Sequence, residues 1–173
     1  MRRFIPVLLV VPLLLLGCAS SQANSPDVLK VKGLYIGMNI DEACKVICQL
    51  LNDSSYTVRE APVLGSTYAV MNSDSLSGLT TVWVTAGPDR IVNSIHISQY
   101  IVDKLFNSKG IESKDFVQEF ISSYHIPTME PKYDENGSFF WQFISTNGYK
   151  LTIDNNKNIV IVAVPKQGER KFN

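Results

Sequence analysis

The order of secondary-structure patterns is the feature that most limits the folds open to this chain. A helix-like pattern is followed by short strand-like runs, and the same order then occurs a second time. Chains that keep helices and strands in separate stretches form antiparallel sheet, whereas strict alternation of strands and helices is typical of parallel sheet. The sequence therefore predicts an α+β fold in which helices pack on an antiparallel β-sheet.

Two segments carry a clear helical pattern. Asn39 is suited to be an N-cap, with Glu42 three residues further on, which is a capping-box arrangement. Apolar residues then recur at helical spacing and predict a first helix over about 39–51. The same spacing predicts a second helix over 113–124, and pairs of apolar residues four apart predict a short helical turn over 100–106.

Seven runs rich in aromatic and β-branched residues are typical of strands. They cover 56–60, 67–71, 79–86, 91–98, 139–145, 149–154 and 158–164. Gly87-Pro88-Asp89-Arg90 predicts a turn that pairs its two flanking strands antiparallel. Because the helix starts at Asn39 and Ser113 lie about 74 residues apart, two helix-plus-sheet repeats, over 31–99 and 100–165, are one interpretation.

The N-terminal segment has the pattern of a secretory signal. Arg2 and Arg3 precede an apolar run from Phe4 to Leu16, which is shorter than the roughly 20 residues of a membrane-spanning helix. Leu15-Leu16-Gly17-Cys18 resembles the lipobox read by lipoprotein signal peptidase, although the family prefers a smaller residue than Leu16. The resemblance implies a signal peptide over 1–17 and acyl chains on Cys18; the alternative is an ordinary signal peptide that ends in a cysteine.

The remaining chain divides into a tether, a domain and a tail. The composition of residues 18–30 is small and polar, which predicts a flexible lipidated tether, followed by a domain over 31–165 and a polar tail over 166–173. Removing residues 1–17 leaves 14 basic and 16 acidic residues and a net charge of −2, so nucleic acid is not expected as a partner. Ala19 after the cysteine resembles the sorting signal of Gram-negative lipoproteins, which implies the outer membrane, facing the periplasm, in such a cell.

One short motif resembles a known family. Gly37-Met38-Asn39-Ile40-Asp41-Glu42-Ala43 is similar to the opening of the first helix in outer-membrane lipoproteins of the SmpA/OmlA type, the small subunit of the barrel-assembly machinery. The twofold element order is similar to that of the beta-lactamase inhibitor protein. The first resemblance implies a lipidated assembly accessory that is not an enzyme. Leu51-Asn52-Asp53 departs from it, because the family usually places Gly-Pro after this helix.

Cys44 and Cys48 are the thiols in the folded part that invite a metal or disulfide interpretation. Their Cβ atoms in a regular helix would lie ~5–6 Å apart, whereas a disulfide needs ~3.5–4.5 Å. Zinc needs four ligands in a structural site, and no histidine lies nearby in the sequence. Both thiols fall on the apolar stripe, so buried core cysteines are expected, with a disulfide as the alternative.

Neither histidine belongs to a recognisable catalytic motif. His96 alternates with isoleucines in a strand and His125 follows a helix end, so a structural or surface role is expected for both. Asp154-Asn155-Asn156-Lys157-Asn158 resembles the start of a calcium loop, but Ile159 stands where that loop requires glycine. A hairpin turn is the better interpretation, and the sequence predicts no metal, cofactor or catalytic residue.

The aromatic run from Phe139 to Phe143 could lie in the core or form an exposed binding strip. A two-residue turn at Asn147-Gly148 would place Trp141 opposite Asp154. A three-residue loop over 146–148, with glycine in the left-handed conformation, pairs Trp141 with Ile153 and collects the aromatic residues on one face. The core interpretation with the three-residue loop is favoured.

Three functional hypotheses follow. The first is a membrane-anchored, non-enzymatic lipoprotein that binds another protein of the cell envelope. The second is a surface-tethered protein inhibitor of a hydrolase. The third is an enzyme, whose chemistry would have to depend on residues such as His96 or His125.

Overall fold

The computed structural model describes residues 28–52, 56–62, 66–72 and 81–164. The expected signal peptide over 1–17, the expected lipid site Cys18 and the polar tail over 166–173 lie outside these residues.

Three helices and eight strands form the described part of the chain. They are α1 (Ile40–Leu51), β1 (Tyr56–Pro62), β2 (Ser66–Asn72), β3 (Thr81–Ala86), β4 (Val92–Ile97), α2 (Gln99–Phe106), α3 (Ser113–Tyr124), β5 (Glu130–Tyr133), β6 (Phe139–Ile144), β7 (Tyr149–Asp154) and β8 (Ile159–Ala163). All the strands pair antiparallel in one sheet. The α+β prediction is confirmed.

The sheet consists of two four-stranded meanders that pair edge to edge through their last strands. Its strand order is β1-β2-β3-β4-β8-β7-β6-β5, so β4 and β8, the last strand of each meander, pair at the centre. One helix precedes the first meander and two precede the second. This arrangement places β3, β4, β8 and β7 in the interior of the sheet, where a residue has neighbours on both sides.

The core lies between the three helices and one face of the sheet. Alternate strand residues point to opposite faces, and Ile95, Ile97, Leu151, Ile159 and Ile161 are fully buried on the helical side. The helices contribute their apolar faces to the same cluster, through Ile40, Ala43, Ile47, Leu51, Ile101, Val102, Phe116, Val117 and Phe120. One continuous core therefore serves both halves.

The first helix begins where the sequence predicts. Asn39 has an extended backbone and its Oδ1 accepts a hydrogen bond from the backbone N of Asp41 at 2.8 Å, which satisfies one of the free N–H groups at the helix start. The core includes a residue that the sequence placed in the tether. Leu29, placed in the tether by its polar neighbours, is only 3% exposed and belongs to the core, because burying a leucine is favourable however polar the residues around it.

The β6–β7 hairpin adopts the predicted register. Trp141 pairs with Ile153 and Phe143 with Leu151, and the backbone N of Ser145 donates to the carbonyl of Tyr149 at 2.8 Å. Gly148 has φ +93°, a conformation that glycine adopts without strain. Trp141 is 9% exposed, so the core interpretation of the aromatic run is confirmed for its central residue, while Phe139 and Phe143 are half-buried.

One strand was not predicted. β5, Glu130–Tyr133, is exposed along its whole length and forms the edge of the sheet beside β6. The sequence pattern that predicts strands depends on apolar residues on at least one buried face. β5 has a polar sequence and contains Pro131, which is uncommon inside strands, so the pattern does not identify it.

Candidate functional site

The sheet has a second face that no helix of the described residues covers. Eleven residues on this face are half-buried, and together they are called the open face below. They are Trp83, Thr85, Ser94, His96, Phe140, Gln142, Lys150, Thr152, Asp154, Val160 and Val162. On the helical side the neighbouring strand residues are fully buried, so the difference in burial marks where solvent reaches the sheet.

Strand register arranges the open face in rows. The central row runs Trp83, His96, Val160, Thr152, Gln142 from β3 to β6. The middle of this row carries no formal charge, because valine and threonine occupy β8 and β7. Aromatic side chains lie towards both ends of the surface, with Trp83 on β3 and Phe140 on β6, and aromatic residues are enriched in protein interfaces.

A second row crosses the same strands nearer their other ends. It runs Thr85, Ser94, Val162, Lys150, Ile144. Ile144 is 61% exposed, which is unusual for an isoleucine in a strand. The five strands span about 19 Å at ~4.8 Å per strand, and each is about 20 Å long. This footprint is about half of the ~800 Å² that one side of a standard interface buries, so a partner has to cover the open face together with its rim.

His96 lies in the centre of the open face between Trp83 and Val160. Burial among these neighbours lowers the pKa of His96 below 6.5, and the Asp154 carboxylate opposes the change without cancelling it. The imidazole is therefore neutral at pH 7, when one ring nitrogen can donate and the other can accept a hydrogen bond. His96 supplies a polar contact point within a largely uncharged surface.

His125 is in a different part of the molecule. It ends α3 in a left-handed conformation with φ 53°, where its backbone N donates to Ser122 O, and the N of Ile126 donates to Ile121 O at 3.0 Å. These two bonds form a Schellman motif, which usually has glycine at this position. His125 is exposed on the helical side of the sheet, so the fold does not bring the two histidines together.

The expectation that both helical cysteines are buried is wrong. Cys44 is half-buried and Cys48 is exposed, and no disulfide joins them. Each residue of a helix turns by ~100°, so Cys48 lies ~80° around the helix from Ile40 and outside the buried stripe formed by Ile40, Ala43, Ile47 and Leu51.

The segment from Asp154 to Asn158 is a hairpin turn, as expected. The Asp154 carboxylate accepts bonds from the backbone N of Asn156 at 2.8 Å and of Asn158 at 2.9 Å, and from the Asn158 side chain. Its oxygens are thus used within the turn. Among the residues that the structure describes, no group of three His, Cys, Asp or Glu side chains is arranged to hold a metal ion.

Known proteins supply no relative for this arrangement. Comparison with models of protein families, with curated proteins and with solved structures gave no match to the chain. The resemblances to the SmpA/OmlA type and to the beta-lactamase inhibitor protein therefore stay predictions. In the described part of the chain, none of the helices has the length and apolar character needed to cross a bilayer.

A buried ion pair, not anticipated from the sequence, fixes the edge of the core next to the open face. Lys157 is only 5% exposed, and its Nζ donates to Asp103 Oδ1 at 2.6 Å and to the carbonyl of Ser108 at 2.7 Å. Burial alone would raise the pKa of Asp103, but the hydrogen bonds from Lys157 and Ser108 and the charge of Lys157 outweigh it and lower that pKa. The pair joins the end of α2 to the β7–β8 turn.

Proposed function

We propose that this chain is a membrane-anchored lipoprotein, lipidated on Cys18, that binds another protein of the cell envelope and is not an enzyme. The observation that carries the proposal is the open face, an uncovered and largely uncharged surface across the central strands. Its aromatic and aliphatic side chains would gain from burial against a partner. The lipobox-like Leu15-Leu16-Gly17-Cys18 supports the anchor, and Ala19 supports the outer membrane of a Gram-negative cell.

The arrangement of polar groups supports binding over catalysis. A general base or nucleophile has to lie within hydrogen-bond reach of its partner group. The cross-strand neighbours of His96 are Trp83 and Val160, the charged group that acts on its pKa is Asp154, which raises it, and His125 lies on the other side of the sheet. The open face therefore offers apolar area from Trp83, Phe140 and two valines, interspersed with hydrogen-bonding side chains that are separated along its rows.

Site-specific photocrosslinking in the envelope tests the proposal. A photoreactive phenylalanine analogue placed at Thr152 should form an adduct with a defined partner, whereas the same analogue at Gln118 should not, because Gln118 is exposed on α3 at the helical side. Val160→Glu should remove the Thr152 adduct by placing a charge in the interface. Adducts that form only from Gln118, or that persist unchanged in the Val160→Glu variant, would contradict the proposal.

A tethered hydrolase inhibitor would use the same surface, and the identity of the partner distinguishes the two. If the crosslinked partner is a hydrolase, the purified domain should suppress its activity and the Val160→Glu variant should not. If the partner is a component of envelope assembly, its abundance or assembly should change on deletion of the lipoprotein while no hydrolase activity is altered.

A further inference from the structure

We infer that one end of the sheet, called the proximal end below, rests on the lipid surface that holds the Cys18 acyl chains, so that the strands stand upright on the membrane. This inference rests on the anchor in the proposed function. It adds an orientation, which decides where a partner must lie to reach the open face.

The place where the chain enters the domain defines the proximal end. Leu29 is buried and Val28 is exposed beside it. Both line a cavity of about 190 Å³ together with Asn147 and Gly148 of the β6–β7 turn. The folded domain thus begins at the end of the sheet where β6 finishes and β7 starts.

Antiparallel pairing places other turns at the same end. The end of β8 lies beside the start of β7, since Ala163 pairs with Tyr149. The Gly87–Arg90 turn of β3 and β4 is there too, because it borders a cavity that includes Ala163 and Ile36. The opposite, distal end holds the Asp134–Ser138 turn of β5 and β6 and the Asp154–Asn158 turn of β7 and β8.

Exposed aliphatic residues are found at the proximal end. Among the described residues, five large apolar side chains are exposed: Val28 at 46%, Ile91 at 38%, Tyr100 at 51%, Tyr133 at 71% and Ile144 at 61%. The three aliphatic ones lie at the proximal end, at the chain entrance, after the β3–β4 turn and at the end of β6. The two tyrosines lie towards the distal end, Tyr100 in the first turn of α2 and Tyr133 just before the β5–β6 turn.

The two ends also differ in their polar residues. The distal turns carry Asp134, Glu135, Asn136, Asn155 and Asn156, all exposed, which suits them to water. At the proximal end, Arg90 is paired with Asp41 at 2.6 Å, the Lys30 ammonium lies over the Tyr35 ring at 5.1 Å from its centroid, and Asp89 and Lys150 are of opposite charge. The proximal end therefore meets the membrane through apolar contact, with no dependence on anionic headgroups.

The length of chain between the anchor and the domain makes this contact possible. Val28 lies ten positions after Cys18, and a chain covers at most ~3.3–3.6 Å per residue, so Val28 stays within about 35 Å of the lipidated residue. This distance lets the proximal end reach the lipid surface. With the strands upright, the open face stands at right angles to the membrane, and its partner has to lie beside it close to the lipid surface.

Fluorescence quenching on vesicles tests the orientation. The full lipidated protein, with Cys44→Ser and Cys48→Ser, would carry one environment-sensitive dye at Asn147→Cys or at Asn136→Cys, which are matched turn positions at the two ends. It would be reconstituted in phosphatidylcholine vesicles, or in phosphatidylcholine with phosphatidylglycerol, with quencher on the lipids. We expect at least a twofold stronger quenching at 147 than at 136, to the same extent in both compositions.

Further variants separate the outcomes. Ile91→Ser with Ile144→Ser should bring quenching at 147 down towards that at 136, and a thermal melt would show that the variant is folded.

Equal quenching at both ends in protein that floats with the vesicles would overturn the orientation while leaving the anchor intact, and would leave the proximal aliphatics as a surface for a protein. Protein that does not float would overturn both. Quenching seen only with phosphatidylglycerol would also overturn the inference, because the contact would then be electrostatic.

Discussion

The pKa of His96 is a property of one residue that its neighbours in the sequence do not determine. Alternation with Ile95 and Ile97 predicts only that it points away from the core. Its lowered pKa arises from neighbours on two other strands, Trp83 and Val160, which the register brings beside it.

The pH dependence of stability follows from this lowered pKa. Between pH 6.5 and the lower pKa of the folded state, the unfolded chain binds more protons than the folded one, so stability falls as the pH falls through that window. His96→Gln should remove this contribution to the pH dependence of the free energy of unfolding. Chemical denaturation at pH 7.5 and at pH 5 would measure that free energy for both proteins. An equal decrease between the two pH values in wild type and variant would contradict the assignment to His96.

The two helical thiols are expected to differ in reactivity because they differ in exposure. Cys48 is exposed and Cys44 is half-buried, and reaction requires access to the sulfur. In the native protein, Cys48 should alkylate several-fold faster than Cys44, and the rates should become similar after denaturation. Mass spectrometry of peptides from a timed iodoacetamide reaction would separate the two sites; equal native rates would contradict the exposure of Cys48.

At the scale of elements, the β6–β7 hairpin fixes which side of each strand enters the core. Trp141→Ala removes a ring that is 9% exposed and contacts Phe139 with centroids 4.6 Å apart. We expect a loss of ~3–5 kcal/mol in the free energy of unfolding, the usual cost of such a cavity. Gln142→Ala, on the open face, should change it by no more than about 0.5 kcal/mol. Urea denaturation compares the two, and similar midpoints would show that the aromatic ring is not a core residue.

The junction between α2 and the β7–β8 turn depends on the Lys157–Asp103 ion pair. Lys157→Met would leave the Asp103 carboxylate, whose side chain is 19% exposed, without its cation, and breaking such a pair costs ~3 kcal/mol or more. Lys114→Met, on the exposed surface of α3, is the control and should have little effect. Hydrogen exchange should also show faster opening of α2 in the Lys157 variant. A variant as stable as the parent would mean that the pair is solvated.

For the whole molecule, the proposed lipid anchor on Cys18 is the feature to test. Cys18→Ser should abolish lipidation and processing by lipoprotein signal peptidase, and the product should leave the membrane fraction, because several acyl chains at ~0.8 kcal/mol per buried methylene provide the stable attachment. Labelling with a palmitate analogue followed by fractionation would measure this. A Cys18→Ser protein that is still acylated and membrane-bound would contradict the lipid site and, with it, the orientation inferred for the sheet.

The sequence predicted the elements that depend on interactions between residues close together in the chain. The Asn39 cap, the apolar stripes of α1 and α3, the Gly87–Arg90 turn and the Gly148 loop depend on residues a few positions apart, and each occurs as predicted. The register of β6 against β7 followed because only one register buries the aromatic residues. The edge strand β5 and the burial of Leu29 were missed, since neither carries a periodic pattern of its own.

The sequence by itself therefore determined the α+β class, the helices and most of the strands of this chain, because propensity, capping and turn chemistry act over short distances. Tertiary structure alone decided that β4 pairs with β8, which joins two meanders into one sheet. That pairing brings Val160 of the second meander beside His96 of the first on the open face. It also decided that Lys157 and Asp103 meet and that Cys48 faces solvent, because burial and pairing depend on neighbours that only the folded chain brings together.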